Sequence, residues 1–200
     1  MKYVDTIKDE KLKKAVKRAY KFHGYKAYFL PSSLTGKHHP PDERGIGGLN
    51  KHVEKVCWFL DGVVKEFLYT DETRDILLTA AYFHDLGKIK NTTVEQCVSF
   101  PEKGKPKRSI MVSRNIHGLD MHPYLSAKLA QEFLAFEGVK GETIQIISDI
   151  IETHMSHWYG GKRPTTELQK MFALADYIVA QEEFELRKEN LWQRIRKKIN

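Results

Sequence analysis

Six side chains scattered along this 200-residue chain have types and positions that could do chemistry together: His52, His84, Asp85, His122, His154 and Asp176. His154 lies seven, four and three residues after Ile147, Ile150 and Ile151. It therefore continues an apolar helical stripe and faces inward. Asp176 follows Phe172 by four and precedes Val179 by three, again on the core side. His84 and Asp85 are neighbours, which diverge by about 100° on a helix. At a helix end both can still aim at one point just beyond it. His52 sits beside Val53 at the start of one helix, and His122 precedes Pro123 at the start of another. A single inward histidine is ordinarily a hydrogen-bonded core residue, and a single inward aspartate a cap or ion-pair partner. Six such groups would each need separate satisfaction away from water. One shared metal centre satisfies them jointly, and mixed imidazole and carboxylate donors suit a divalent transition metal such as Mn, Fe, Co, Ni or Zn.

The elements that must position these groups read mostly as helices. A lysine-rich amphipathic pattern covers 6–22, and Pro31, Gly36, Pro40, Pro41, Gly45, Gly47 and Gly48 break the chain into a loop over 31–48. A helix opens near Asn50 as N-cap, with Val53, Val56, Cys57 and Leu60 on one face. Thr70 or Asp71 caps the next, which carries Ile76, Leu77, Ala80 and Ala81 and stops at Gly87. Residues 94–100 and 109–112 flank a Lys-Gly-Lys-Pro turn and read as a β-hairpin. Further helices run from Pro123 to about Phe136, over 142–155 and from about Thr165 through Val179, and a polar helix closes the chain.

Three stretches now carry a resemblance. Gly47-Gly48-Leu49-Asn50-Lys51-His52, Ala81-Tyr82-Phe83-His84-Asp85-Leu86-Gly87-Lys88 and Leu174-Ala175-Asp176-Tyr177 stand in the order His … His-Asp … Asp. That order resembles the HD-domain superfamily of metal-dependent phosphohydrolases over roughly residues 31–180. The segments around His122 and His154 look like the extra histidines of its two-metal members. The resemblance implies an all-α HD-domain helical bundle, in which the hairpin pattern reads as a small β-hairpin insertion. It further implies that His52, His84, Asp85 and Asp176 hold one ion, while Asp85 bridges to a second held by His122 and His154. Asp85 and Lys88 then become the catalytic pair, with Lys88 turned toward a substrate phosphate. Two such ions activate a water for attack on phosphorus. The Ser156-His157 pair departs from the Gly and Arg frequent in the family, and His157 is an alternative ligand to His154. Arg114, His157, Lys162 and Arg163 are candidate substrate contacts, and His38 and His39 either line the mouth of the site or are surface histidines.

The expected activity is hydrolysis of phosphate ester or phosphodiester bonds of nucleotides. The rival readings are a one-metal nucleotide phosphohydrolase, a di-iron oxygenase built on the same ligands, and a non-catalytic nucleotide-binding module. The expected organisation is one domain over 1–200: a basic N-terminal helix over 1–30, the HD core over 31–180 and a C-terminal helix over 181–200.

Composition bounds these readings. The chain is 41% hydrophobic and 30% charged, an ordinary globular balance. Cys57 and Cys97 make no disulfide framework, the start lacks a secretory apolar stretch, and no run is long enough to span a bilayer. The expectation is a cytoplasmic protein without a membrane partner. The net charge of +7 is concentrated, with +6 on residues 1–26 and +4 on 101–115. Such charge draws in anions. Phe100 is the sole aromatic residue from 94 to 116, too few for a base-stacking platform, so a nucleotide or other phosphorylated small molecule is favoured over nucleic acid.

Overall fold

The structure is a computed structural model describing residues 1–33, 39–99, 107–114, 121–155 and 162–181, with the backbone alone across 94–99 and 107–114. It is an all-α, mostly helical bundle. Helices α1 (Glu10–Phe29), α2 (Gly48–Glu66), α3 (Asp71–Phe83), α4 (His122–Phe136), α5 (Gly141–Thr153) and α6 (Glu167–Val179) supply its body. Among the described residues three 3₁₀ turns accompany them, at Val4–Thr6, Pro41–Glu43 and Leu86–Lys90. The strands β1 (Thr92–Ser99) and β2 (Lys107–Arg114) pair antiparallel, Thr92 opposite Arg114 and Ser99 opposite Lys107. The Lys-Gly-Lys-Pro turn lies outside the described residues, as does the expected C-terminal helix over 181–200 beyond Gln181.

The helix boundaries follow from local chemistry. The Asp9 side chain accepts from the backbone N–H groups of Lys11 and Leu12 and starts α1, which runs seven residues past the expected end at 22. Helix α2 begins at Gly48, not near Asn50, and its N-cap is Gly47 in the left-handed region at φ +80°. The Thr70 hydroxyl accepts from Thr73 N–H and caps α3. That helix ends at Phe83, and the chain tightens into the 3₁₀ turn before reaching Lys90. Thr166 and Gln169 form a reciprocal capping box on α6.

Helix α3 is the centre of the core. Every residue from Asp75 to Phe83 is buried, and the helix packs against α1, α2, α4 and α5. Helix α6 closes the far side against α2 and α5. Its Phe172 is fully buried, as are Leu60 of α2, Leu134 of α4 and Ile147 of α5. Cys57 lies in this core, as its face predicts. A helix so enclosed delivers the next residues of the chain to the interior, and directly after Phe83 come His84 and Asp85. Among the described residues no helix is long and apolar enough to cross a membrane.

Candidate metal centre

Five helices bring the six sequence-predicted groups to one place. His84 and Asp85 leave the C-terminal end of α3, and His154 leaves that of α5. His122 opens α4, His52 lies in the second turn of α2, and Asp176 lies in α6. The four histidines and Asp85 are buried, and the Asp176 side chain is 14% exposed.

The contacts divide about Asp85. Its Oδ2 faces His84 Nε2 at 3.6 Å and His52 Nε2 at 3.9 Å. Its Oδ1 faces His122 Nε2 at 3.3 Å and His154 Nε2 at 3.8 Å. Asp176 Oδ1 lies 2.8 Å from His52 Nε2 and 3.5 Å from His84 Nε2. One carboxylate therefore serves two histidine pairs, and a second carboxylate joins only one of them.

Gly87 is what lets the two halves meet. A Cβ there would lie 2.5 Å from Ser126 N and 2.6 Å from His122 O. The absence of a side chain lets the first turn of α4 sit directly on the 3₁₀ turn after Asp85. The Gly87 N–H donates to Ser126 Oγ at 2.8 Å and locks that approach.

The ring orientations decide whether these donors fit a metal. His84 Nδ1 donates to Ala81 O at 2.7 Å, and His154 Nδ1 donates to Ile151 O at 2.6 Å. A neutral imidazole with its proton on Nδ1 offers a lone pair at Nε2. The His84 Nε2 lone pair stands 3.4 Å from His52 Nε2, and that of His154 stands 3.3 Å from His122 Nε2. Two ring nitrogens on one tetrahedral ion, each about 2.0–2.1 Å from it, are separated by about 3.4 Å. The spacing and the donor set therefore suit one or two divalent ions.

The electrostatics agree. Burial lowers the pKa of His122, and burial together with the neighbouring His84 pushes His154 down to about 3, so both stay neutral. Burial opposes ionisation of Asp85, but Lys88, His84 and His122 outweigh it and hold the carboxyl well below its ordinary range. Hydrogen bonds from His52 and His84 do the same for the buried Asp176. His52 is the exception. Burial disfavours its charge, but Asp176 and Glu43 prevail and raise its pKa to about 10. With no ion bound, a proton on His52 supplies positive charge to this carboxylate-rich side.

Lys88 reaches the same centre. Its Nζ lies 2.5 Å from Asp85 Oδ2 and donates to Ser32 O at 2.8 Å. Its side chain is 20% exposed, so the ammonium borders both the buried groups and the outside. Lys162 instead pairs with Glu152 at the surface, and Arg163 is exposed. His38 and His157 lie outside the described residues, as does the side chain of Arg114. His39 does not stand open at a mouth. Its side chain is only 12% exposed, its ring lies 4.8 Å from that of His52, and its Nδ1 is 2.8 Å from Glu43 Oε2.

Sequence reasoning missed Glu43, which is fully buried. Its Oε2 is 3.3 Å from His52 Nδ1. The only sequence signal is an acid four residues after His39 in a proline-rich stretch, and no helical period extends there to give it a face.

Comparison with curated proteins and with solved structures returns no match. The family model described as the HD domain matches residues 51–181. That span runs from the residue before His52 to just beyond Asp176 and contains every group that converges on Asp85. The chain thus belongs to the HD-domain family of metal-dependent phosphohydrolases.

Proposed function

We propose that this protein hydrolyses phosphate ester or phosphodiester bonds of nucleotides with the help of two divalent ions. The observation that carries the reading is the division of Asp85 between two histidine pairs, one oxygen to each. His52, His84, Asp85 and Asp176 would hold one ion, and Asp85, His122 and His154 the other. Such ions supply Lewis-acid charge and lower the pKa of water toward neutrality. The chain's own residues supply the rest. His122 and His154 stay neutral, and His84 and His154 keep Nε2 turned inward through their Nδ1 hydrogen bonds, which holds much of the donor set ready without reorganisation. Lys88 sets a fixed ammonium beside Asp85, where it attracts a substrate phosphate and opposes charge growing on its oxygens. Burial excludes bulk water and strengthens each of these interactions. The basic residues 103–108, in a segment read as one hairpin within a single domain, favour anionic substrates.

The test is turnover by protein loaded with Mn, Co, Ni, Fe or Zn against mononucleotides, cyclic dinucleotides and short oligonucleotides. Metal-dependent phosphate release or phosphodiester cleavage is expected. Loaded protein inert toward the whole panel, but consuming oxygen with iron bound, would replace this reading with an oxygenase.

A further inference from the structure

The family pattern does not include Glu43, yet nitrogen atoms face both oxygens of this buried carboxylate at the edge of the centre. Oε2 lies 2.8 Å from His39 Nδ1 and 3.3 Å from His52 Nδ1, and Oε1 lies 2.9 Å from Lys55 Nζ. Lys55 is three residues after His52 and so shares its face of α2. The backbone is equally constrained. Glu43 O accepts from Ser32 N–H and from Ser32 Oγ, each at 3.0 Å. A Cβ at Gly48 would overlap that same oxygen, so the 3₁₀ turn carrying Glu43 rests directly on the first residue of α2.

His52 has its other nitrogen in the centre, with Nε2 2.8 Å from Asp176 Oδ1. His84 and His154 are each held through Nδ1 by a carbonyl three residues back in their own helix. His52 alone of these three instead faces, at 3.3 Å, a carboxylate from outside its helix. A carboxylate behind a ligating imidazole fixes the Nδ1–H tautomer, orients the ring and makes Nε2 a stronger donor. We propose that Glu43 is a positioning residue of the metal centre, acting through His52 Nδ1 to present Nε2 to the ion shared with Asp176. The proposal rests on the two-metal reading above. His39, Glu43 and His52 could themselves surround an ion, but the Lys55 ammonium already provides a cation at Oε1.

Cobalt(II) titration followed by visible absorption and calorimetry tests this in the full chain. Loss of such an outer partner typically costs about 10–100-fold in metal affinity. In Glu43→Gln, one cobalt equivalent should weaken by that factor and its absorption band should shift, while the other equivalent keeps its affinity. Lys55→Met, which leaves the carboxylate in place but frees Oε1, should weaken the same equivalent less and serves if Glu43→Gln does not fold. Wild-type binding and spectrum in both variants would overturn the role of Glu43 alone. A third cobalt equivalent in wild type that vanishes in Glu43→Gln would overturn it in favour of a ligand. A wild-type protein that takes up no cobalt would overturn the two-metal reading itself.

Discussion

Asp85 is the residue on which the whole arrangement turns, because each of its oxygens faces a different histidine pair. Asp85→Ala should remove metal from both halves and lower kcat by at least about 100-fold, or about 3 kcal/mol of transition-state stabilisation. Steady-state kinetics and elemental analysis of the same preparation check both effects. His154→Ala should lose one metal equivalent, while His157→Ala should retain both. Equal metal loss at the two positions would make His157 a ligand as well. These residues are legible in the sequence because helical periodicity turns His154 and Asp176 inward, helix starts and ends place the other four, and six such polar groups demand a shared explanation. Glu43 is not legible there for the complementary reason. It sits in Pro-Pro-Asp-Glu-Arg, where no period operates, and only the fold brings it to His52.

Among the elements, the 3₁₀ turn after α3 and the first turn of α4 form the tightest join. Gly87→Ala places a methyl group 2.5 Å from the Ser126 backbone. Overpacking of this kind typically costs about 1–3 kcal/mol. The expected result is a lower melting temperature together with weakened binding of the ion at His122 and His154, whereas the His52 and Asp176 half keeps its affinity. A metal titration separates the two. The sequence marks Gly87 as a helix stop, yet α3 ends four residues earlier and the glycine serves close approach instead. Propensity reads both situations as a break in the helix, and only contact with α4 tells them apart. Asn50 shows the same limit, since a polar residue near a helix start looks like a cap although Gly47 holds that place.

Across the whole molecule, Arg74 ties three segments together. Its Nε donates to Asp61 of α2 at 2.7 Å, and its terminal nitrogens donate to Thr6 O and Oγ1, each at 2.8 Å. Burial works against ionisation of Asp61, but Lys65 and Arg74 outweigh it and hold its carboxyl below the ordinary carboxylate range. A depressed carboxyl stabilises the fold fully above its unfolded pKa of about 3.9 and loses that contribution as pH falls through the folded value. Asp61→Asn should therefore destabilise by about 1 kcal/mol at neutral pH, allowing for solvent screening. Denaturant unfolding should show the difference from wild type shrinking below the unfolded pKa. The net charge of +7 bears on substrate size. A mononucleotide held by Lys88 and the ions should bind with weak salt dependence. An oligonucleotide tracked along residues 101–115 would lose orders of magnitude in affinity between about 50 and 200 mM salt. Binding curves across that range decide between them.

The convergence of five helices on atoms less than 4 Å apart also makes the centre a rivet. His52 and Asp176 are 124 residues apart in sequence yet 2.8 Å apart in space, and an ion between them would close that long loop as a covalent staple does. At a free metal concentration about 1,000 times the dissociation constant, this linkage adds about 4 kcal/mol to stability. Chelation would then act as a mechanical release, loosening the bundle from within and not merely silencing it. A protein of this design advertises its metal status through its resistance to heat and proteases. Scanning calorimetry with and without chelator should find the melting temperature rising with free metal, and an unchanged transition would mean that the helices hold one another without the rivet.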